Sequence, residues 1–193
     1  MMSKPIDVVD APKPPAIKRC FDPVVDGQTR LLLLGSLPGD KSLTLQEYYG
    51  NRQNRFWHLI GEVIGEELAQ MDYPMKLSRL LHHGIGLWDV VASASRSGSL
   101  DSQIRDHVGN DIAALAASLP KLEAIGFNGG TAARHGLKQL GVLAEQYRIV
   151  ALPSSSPAYV LAYEKKLAAW KALAHLGWPQ RGMAVSGISK PGP

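Results

Sequence analysis

Arg30-Leu-Leu-Leu-Leu-Gly35 is a short, uninterrupted apolar run halted by glycine, the pattern of a strand covered on both faces. A strand with one wet face would alternate apolar and polar residues instead. Three further runs read the same way: Ile85-Gly-Leu-Trp-Asp-Val-Val91, Leu122-Glu-Ala-Ile-Gly-Phe127 and Tyr147-Arg-Ile-Val-Ala-Leu152. Helical periodicity fills the gaps between them. Phe56, Leu59, Ile60, Val63 and Ile64 share one face of a helix expected over 56–69, with Glu62 and Glu66 opposite. Ile112, Leu115, Ala116 and Leu119 repeat the pattern ahead of Pro120, which stops the run. A last helix is expected over 157–176, with Val160, Tyr163, Leu167, Trp170 and Leu173 inward and Gly177 as its stop. Alternating strands and helices predict an α/β fold, a three-layer sandwich with a four-stranded parallel sheet flanked by helices. Its ligand site belongs at the C-terminal ends of the strands.

The chain has 193 residues, 45% hydrophobic and 20% charged, enough for one sizeable core and too few for two large domains. Residues 1–19, with Pro5, Pro12, Pro14 and Pro15 among charged residues, read as a flexible arm, and 181–193, rich in Gly, Ser, Lys and Pro, as a flexible tail. A single domain over 20–180 remains. No apolar run approaches the roughly 20 residues a bilayer requires, and the N-terminus lacks the apolar stretch of a secretory signal, so a soluble cytoplasmic protein is expected. A monomer is the expectation for its assembly. The lone Cys20 excludes an internal disulfide framework and any site built on several thiolates. The six histidines show no metal-binding spacing, and neither a metal nor another cofactor is expected. A net charge of +4 suits a nucleic-acid partner without requiring one.

The unusual residues gather where the strands end. Gly35-Ser-Leu-Pro-Gly-Asp-Lys-Ser42 and Tyr48-Tyr-Gly-Asn-Arg-Gln-Asn-Arg-Phe-Trp57 follow the first strand, Asn128-Gly-Gly130 the third, and Pro153-Ser-Ser-Ser-Pro-Ala-Tyr159 the fourth. The first loop imitates a nucleotide-binding P-loop but fails in detail. Asp40 stands where a glycine must precede the lysine, and Pro38 removes an amide donor.

Gly35-Ser-Leu-Pro-Gly39, Tyr48-Tyr49, Asn54-Arg-Phe-Trp57 and Leu152-Pro-Ser-Ser-Ser-Pro157 together resemble the two active-site motifs of the uracil-DNA glycosylase superfamily. The likeness spans about 31–170 and is greatest to the hypoxanthine-DNA (deoxyinosine) glycosylase branch, with the G:U mismatch-specific glycosylases next. It implies a monofunctional hydrolase that flips a deaminated base, hypoxanthine by preference and uracil besides, out of double-stranded DNA and cuts its N-glycosidic bond. A G:U/G:T mismatch-specific enzyme and a catalytically inactive lesion-binding protein of the same fold stay open as alternatives. Lys41 is the one lysine at the strand ends from which Schiff-base lyase chemistry could start. Several branches of this superfamily carry a four-cysteine iron–sulfur cluster, which one cysteine excludes here.

The same resemblance assigns candidate roles. Asn54 is the candidate for orienting the water, since an amide both donates and accepts, and it could equally cap the helix that follows. Asp40 is the second candidate, or else a solvated turn acid. Ser36, Leu37, Tyr49 and Asn128 are expected at the base: backbone amides of the first two, stacking from Tyr49 and edge recognition from Asn128. Asn128 also suits a helix cap or turn. Ser154, Ser155, Ser156, Pro157 and Tyr159 are candidates for the DNA strand, with Pro157 or Tyr159 as a wedge. Ser156 and Pro157 alternatively begin the last helix. Leu37 stands where mismatch-specific relatives carry Asn, and Leu152 where many members carry His to stabilise the departing base. Arg52, Arg55, Lys165 and Lys166 are candidates for phosphate contacts, and the Arg96-to-Asp101 loop is either another such contact or a plain connection.

Overall fold

The computed structural model describes residues 17–176. Seven strands run in chain order as β1 (Ile17–Arg19), β2 (Leu31–Gly35), β3 (Ile85–Asp89), β4 (Val91–Ser95), β5 (Arg105–Gly109), β6 (Ala124–Asn128) and β7 (Arg148–Leu152). Six α-helices accompany them among the described residues: α1 (Asp40–Leu45), α2 (Phe56–Ile64), α3 (Tyr73–His82), α4 (Ile112–Ser118), α5 (Gly130–Leu140) and α6 (Tyr163–Trp170). The four apolar runs form one parallel sheet, as the sequence predicts, and its strand order is β3-β2-β6-β7. Two cores follow from strand alternation. Leu31, Leu33, Ile85 and Leu87 pack under α2, α3 and α6, while Leu32, Leu34, Ile125 and Phe127 pack on the opposite face toward α4 and α5. Three layers result, with every residue of β2 buried.

Several boundaries differ from the sequence reading. β1 lies inside the stretch expected as an arm and pairs antiparallel with β4, which pairs in turn with β5 in a second, three-stranded sheet that the sequence does not announce. The remainder of the arm (1–16), the 181–193 tail and the expected stop at Gly177 lie outside the described residues. The helix expected over 56–69 closes at Ile64, because Gly65 adopts a left-handed cap with φ 75°. The last helix begins at Tyr163 rather than Pro157. Residues 156–159 form a tight turn in which the Tyr159 N–H donates to the Ser156 carbonyl (3.2 Å), and Val160, expected inward, is 96% exposed. Proline at the second position of a turn and at the first turn of a helix shares one local geometry, so Ser-Pro by itself could not separate the two.

Candidate active site

A cavity of about 410 Å³ opens at the C-terminal ends of the parallel strands, within the roughly 300–1,000 Å³ usual for small-ligand sites. Its floor is made by the last residues of three neighbouring strands: Gly35 of β2, Asp89 of β3 and Asn128 of β6. Around the floor stand the 36–42 loop, Tyr49 and Asn54, the 99–102 segment, the start of α5 and the 154–159 loop. Segments far apart in the chain thereby meet at one sheet edge.

Tyr49 forms one wall. Its ring stacks on Phe56 at 3.7 Å between centroids and 9° between planes, and Phe56 in turn meets Trp170 edge-on. The backbone of Tyr49 sits at φ 55°, a strained conformation for a bulky residue that the surroundings must impose. Its neighbours supply the constraint. The Tyr48 N–H donates to Tyr73 Oη (2.9 Å), the Tyr48 carbonyl accepts from Trp57 Nε1 (3.2 Å), and the Gly50 N–H donates to Ser42 Oγ (3.0 Å). Burial and the nearby Asp89 push the Tyr49 phenol up, with the Asn128 amide opposing, so the hydroxyl stays a neutral donor.

Asn54 sits half-buried on the cavity wall and caps the start of α2 from one residue ahead of the N-cap position, Arg55: its Oδ1 accepts from the Phe56 N–H (3.0 Å). The cap engages the oxygen. Among the described residues no protein acceptor takes a bond from Nδ2. Asp40 does not line the cavity. It opens α1 with its carboxylate held by Lys18 Nζ on β1, which corrects the expectation that it positions a water.

Asn128 and Ser155 lock two strand ends together. Asn128 Nδ2 donates to Ser155 Oγ (2.8 Å), the Ser155 N–H donates to Asn128 Oδ1 (2.8 Å), and the Ser155 carbonyl accepts the Arg55 N–H at the start of α2 (3.0 Å). Ser155 is completely buried with its polar groups spent, so it braces the site and cannot touch a DNA strand as expected. Asn128 lines the cavity, and its amide also acts on the Tyr49 hydroxyl. The cap expected of it is not made; Gly129, at φ 101°, stands at the N-cap of α5 instead. The N-terminus of this eleven-residue helix, with Gly129, Gly130 and Thr131 on the cavity wall, favours negative charge there.

Ser36 and Leu37 line the cavity with their side chains committed elsewhere, and it is their backbone that the expectation concerned. Ser36 Oγ donates to Asp101 Oδ1 (2.7 Å), and the Leu37 side chain, 6% exposed, belongs to the second core. Arg96, only 1% exposed, donates to the carbonyls of Leu37 and Pro38 and clamps the first motif from behind, which removes it as a phosphate contact. Lys166 is likewise buried. Its Nζ donates to the Ser156 carbonyl (3.1 Å) and lies over the Tyr159 ring, supporting the 154–159 loop from beneath. Pro157 and Tyr159 are exposed at the cavity rim, Ser154 and Ser156 half-buried, and Arg52, Arg55 and Lys165 exposed. Lys41 is the one lysine among the lining residues described.

Asp89 escaped the sequence reading. It is 4% exposed, and burial together with Asp101 raises its carboxyl to about 7 against the pull of Arg96. The available signal was a charged residue inside the apolar run Ile85-Gly-Leu-Trp-Asp-Val-Val91, just where a strand of a parallel sheet ends. Asn51 was given no role by the sequence, and the 99–102 segment, which overlaps the Arg96-to-Asp101 loop read as a phosphate contact or a plain connection, lines the cavity instead. Among the described residues no His, Cys, Asp and Glu side chains are grouped as a metal ion would require, and no helix is long and apolar enough to cross a membrane.

The family model described as the uracil DNA glycosylase superfamily matches residues 23–176. A protein of Methanosarcina acetivorans named hypoxanthine DNA glycosylase is 45% identical over 159 residues, covering 81% of this chain and 98% of its own length. A second of the same name, from Methanosarcina barkeri, is 37% identical over 155 residues, covering 79% of this chain and 95% of its own length. A solution NMR structure from Methanosarcina acetivorans, assigned provisionally to the uracil DNA glycosylases, superposes with a TM-score of 0.73 at 44% identity, covering 83% of this chain and 98% of that one.

Proposed function

The chain belongs to the uracil DNA glycosylase superfamily and is a DNA glycosylase of deaminated bases, and from that premise we propose that it excises hypoxanthine from duplex DNA, by the residues described above and without strand cleavage. One observation carries the reading: the segments that hold both motifs converge on a single cavity of base-binding size at the sheet edge.

A base inside the duplex is out of reach, so the nucleotide must swing into this cavity, most readily when it pairs poorly. Tyr49, its plane fixed by Phe56, offers one face to the base, a contact worth roughly 1–3 kcal/mol in single-strand binders. Asn128, oriented by Ser155, presents its remaining donor and acceptor to the base edge. Departure places negative charge on the base and positive charge on the sugar. The N-terminus of α5 faces the first, and Asn54 holds a water for the second. An amide is too weak a base to deprotonate that water in the ground state, so Asn54 contributes position, and the proton leaves as the oxygen bonds to C1′. Pro157 and Tyr159, exposed at the rim, suit the gap left in the duplex.

The test uses excess protein and duplexes with one inosine, uracil or thymine opposite each natural base, followed by alkali. Alkali-dependent breaks at inosine are expected. Breaks before alkali would assign a lyase step to Lys41, and intact strands throughout would overturn the reading.

A further inference from the structure

Leu152 occupies the position ahead of Pro153-Ser154 and offers no side-chain donor to a departing base, yet the cavity floor holds a group without an assigned task. Asp89 Oδ2 is buried with no hydrogen-bond partner. An orphaned carboxyl oxygen is costly, and retaining one at a ligand cavity calls for a reason. The geometry around Gly35 places the other oxygen of the same carboxyl. A Cβ on that glycine would fall 2.5 Å from Asp89 Oδ1 and 3.0 Å from Tyr49 Oη, so carboxyl and phenol converge over the one residue of β2 that leaves them room. The strand end is fixed as well, since Asn110 Nδ2 donates to the Asp89 carbonyl (2.7 Å).

We propose that Asp89, in its protonated form, is a catalytic residue that donates a hydrogen bond to an acceptor atom of the flipped base and stabilises the negative charge it gains as the C1′–N bond breaks. The proton stays on Asp89 throughout, the C1′–N bonding pair leaves with the base, the water forms the new C1′–O bond, and the proton that water sheds ends on the departing base, which is released neutral. This role rests on the glycosylase reading above. An ionised carboxylate in the same place would oppose departure, because the leaving base becomes negative. The surroundings favour the neutral acid. Burial and Asp101 raise it to about 7, Arg96 opposes, and the other titratable groups near it are the phenols of Tyr48 and Tyr49 and the Cys20 thiol, all of which burial pushes up and keeps uncharged.

The sign of the pH effect follows. A donor that must be protonated is lost as pH rises through its pKa, so single-turnover excision of inosine should fall roughly tenfold per pH unit on the alkaline side. Asp89→Asn keeps the shape and an N–H donor that does not titrate. It should retain excision within about tenfold of wild type at pH 6 and flatten the alkaline fall. Asp89→Ala should lose roughly 10²–10³-fold at pH 6. Melting temperature and binding to a duplex with an abasic-site analogue establish folding, and an unfolded Ala variant leaves the decision to the Asn variant. An Asp89→Asn profile that still falls as wild type does, or an Asn variant as poor as a folded Ala variant at pH 6, overturns the proposal. Wild-type protein that excises no base from any duplex overturns the glycosylase reading itself, and the proposal with it.

Discussion

The Asn54 amide has one end engaged at the start of α2 and the other proposed to hold the water, which lets substitution separate the two. Oδ1 caps α2 through the Phe56 N–H, whereas Nδ2 bonds no protein group among the described residues. Asn54→Asp keeps the cap acceptor and removes the donor; Asn54→Ala removes both. Loss of the cap costs about 1 kcal/mol, or roughly 2–4 °C of melting temperature at this chain length. We expect Asn54→Ala to show that small loss together with a fall in single-turnover excision of roughly 10²-fold or more. Asn54→Asp should melt close to wild type. Unchanged excision per folded Ala molecule would leave the cap as the residue's whole role. Gly35 permits a sharper steric test. Alanine there places its methyl 2.5 Å from the Asp89 carboxylate and 3.0 Å from the Tyr49 hydroxyl, at the junction of β2 and the first motif. Gly35→Ala should therefore weaken lesion binding and excision together, and normal excision by the folded variant would show that the floor is not where the base sits. At this scale legibility divides by chemistry. Tyr49 and Asn54 stand in polar, aromatic-rich loops and attract notice, whereas Asp89 hides in a run whose other members are core.

The 154–159 loop poses the question at the scale of an element. Its sequence reads as a helix start, but a turn forms because Ser156 Oγ accepts the Ala158 N–H (3.2 Å) and its carbonyl accepts the Tyr159 N–H, spending on a local turn the groups that would cap a helix. α6 then begins seven residues after Ser156, and the freed segment stands exposed beside the cavity. Lys166 holds it up from α6 through the Ser156 carbonyl and the Tyr159 ring. Lys166→Met keeps the buried stem and deletes the ammonium. Faster amide hydrogen exchange over 154–160, unchanged protection of α6 and several-fold weaker binding to an inosine duplex are expected. Unaltered exchange in the loop would show that the turn stands without the lysine.

At the scale of the whole molecule, the two sheets differ in how they write themselves into sequence. The parallel strands are apolar end to end because both faces are covered, while β5 is Arg105-Asp-His-Val-Gly109, exposed at every position. β4 follows β3 after the single residue Val90, so one apolar run conceals a change of sheet. Cohesion among the covering helices is likewise invisible in the pattern, because it depends on charges distant in sequence. Glu66, just past α2, accepts from Arg79 Nε (2.7 Å) and again from its Nη2, and pairs with His83 Nε2 (2.6 Å), tying α2 to the end of α3. These partners pull the Glu66 carboxyl from 4.5 to about 2. A folded pKa below the unfolded one stabilises the fold fully above the unfolded value, and that contribution disappears as pH falls through the folded value. Glu66→Gln should therefore lower the melting temperature at pH 7 by a few degrees, and its deficit against wild type should shrink as pH drops from 4.5 toward about 2. Paired thermal melts of the two proteins across that interval decide the matter. A deficit that persists undiminished at the acid end would mean that the glutamate secures α2 to α3 by packing rather than by charge.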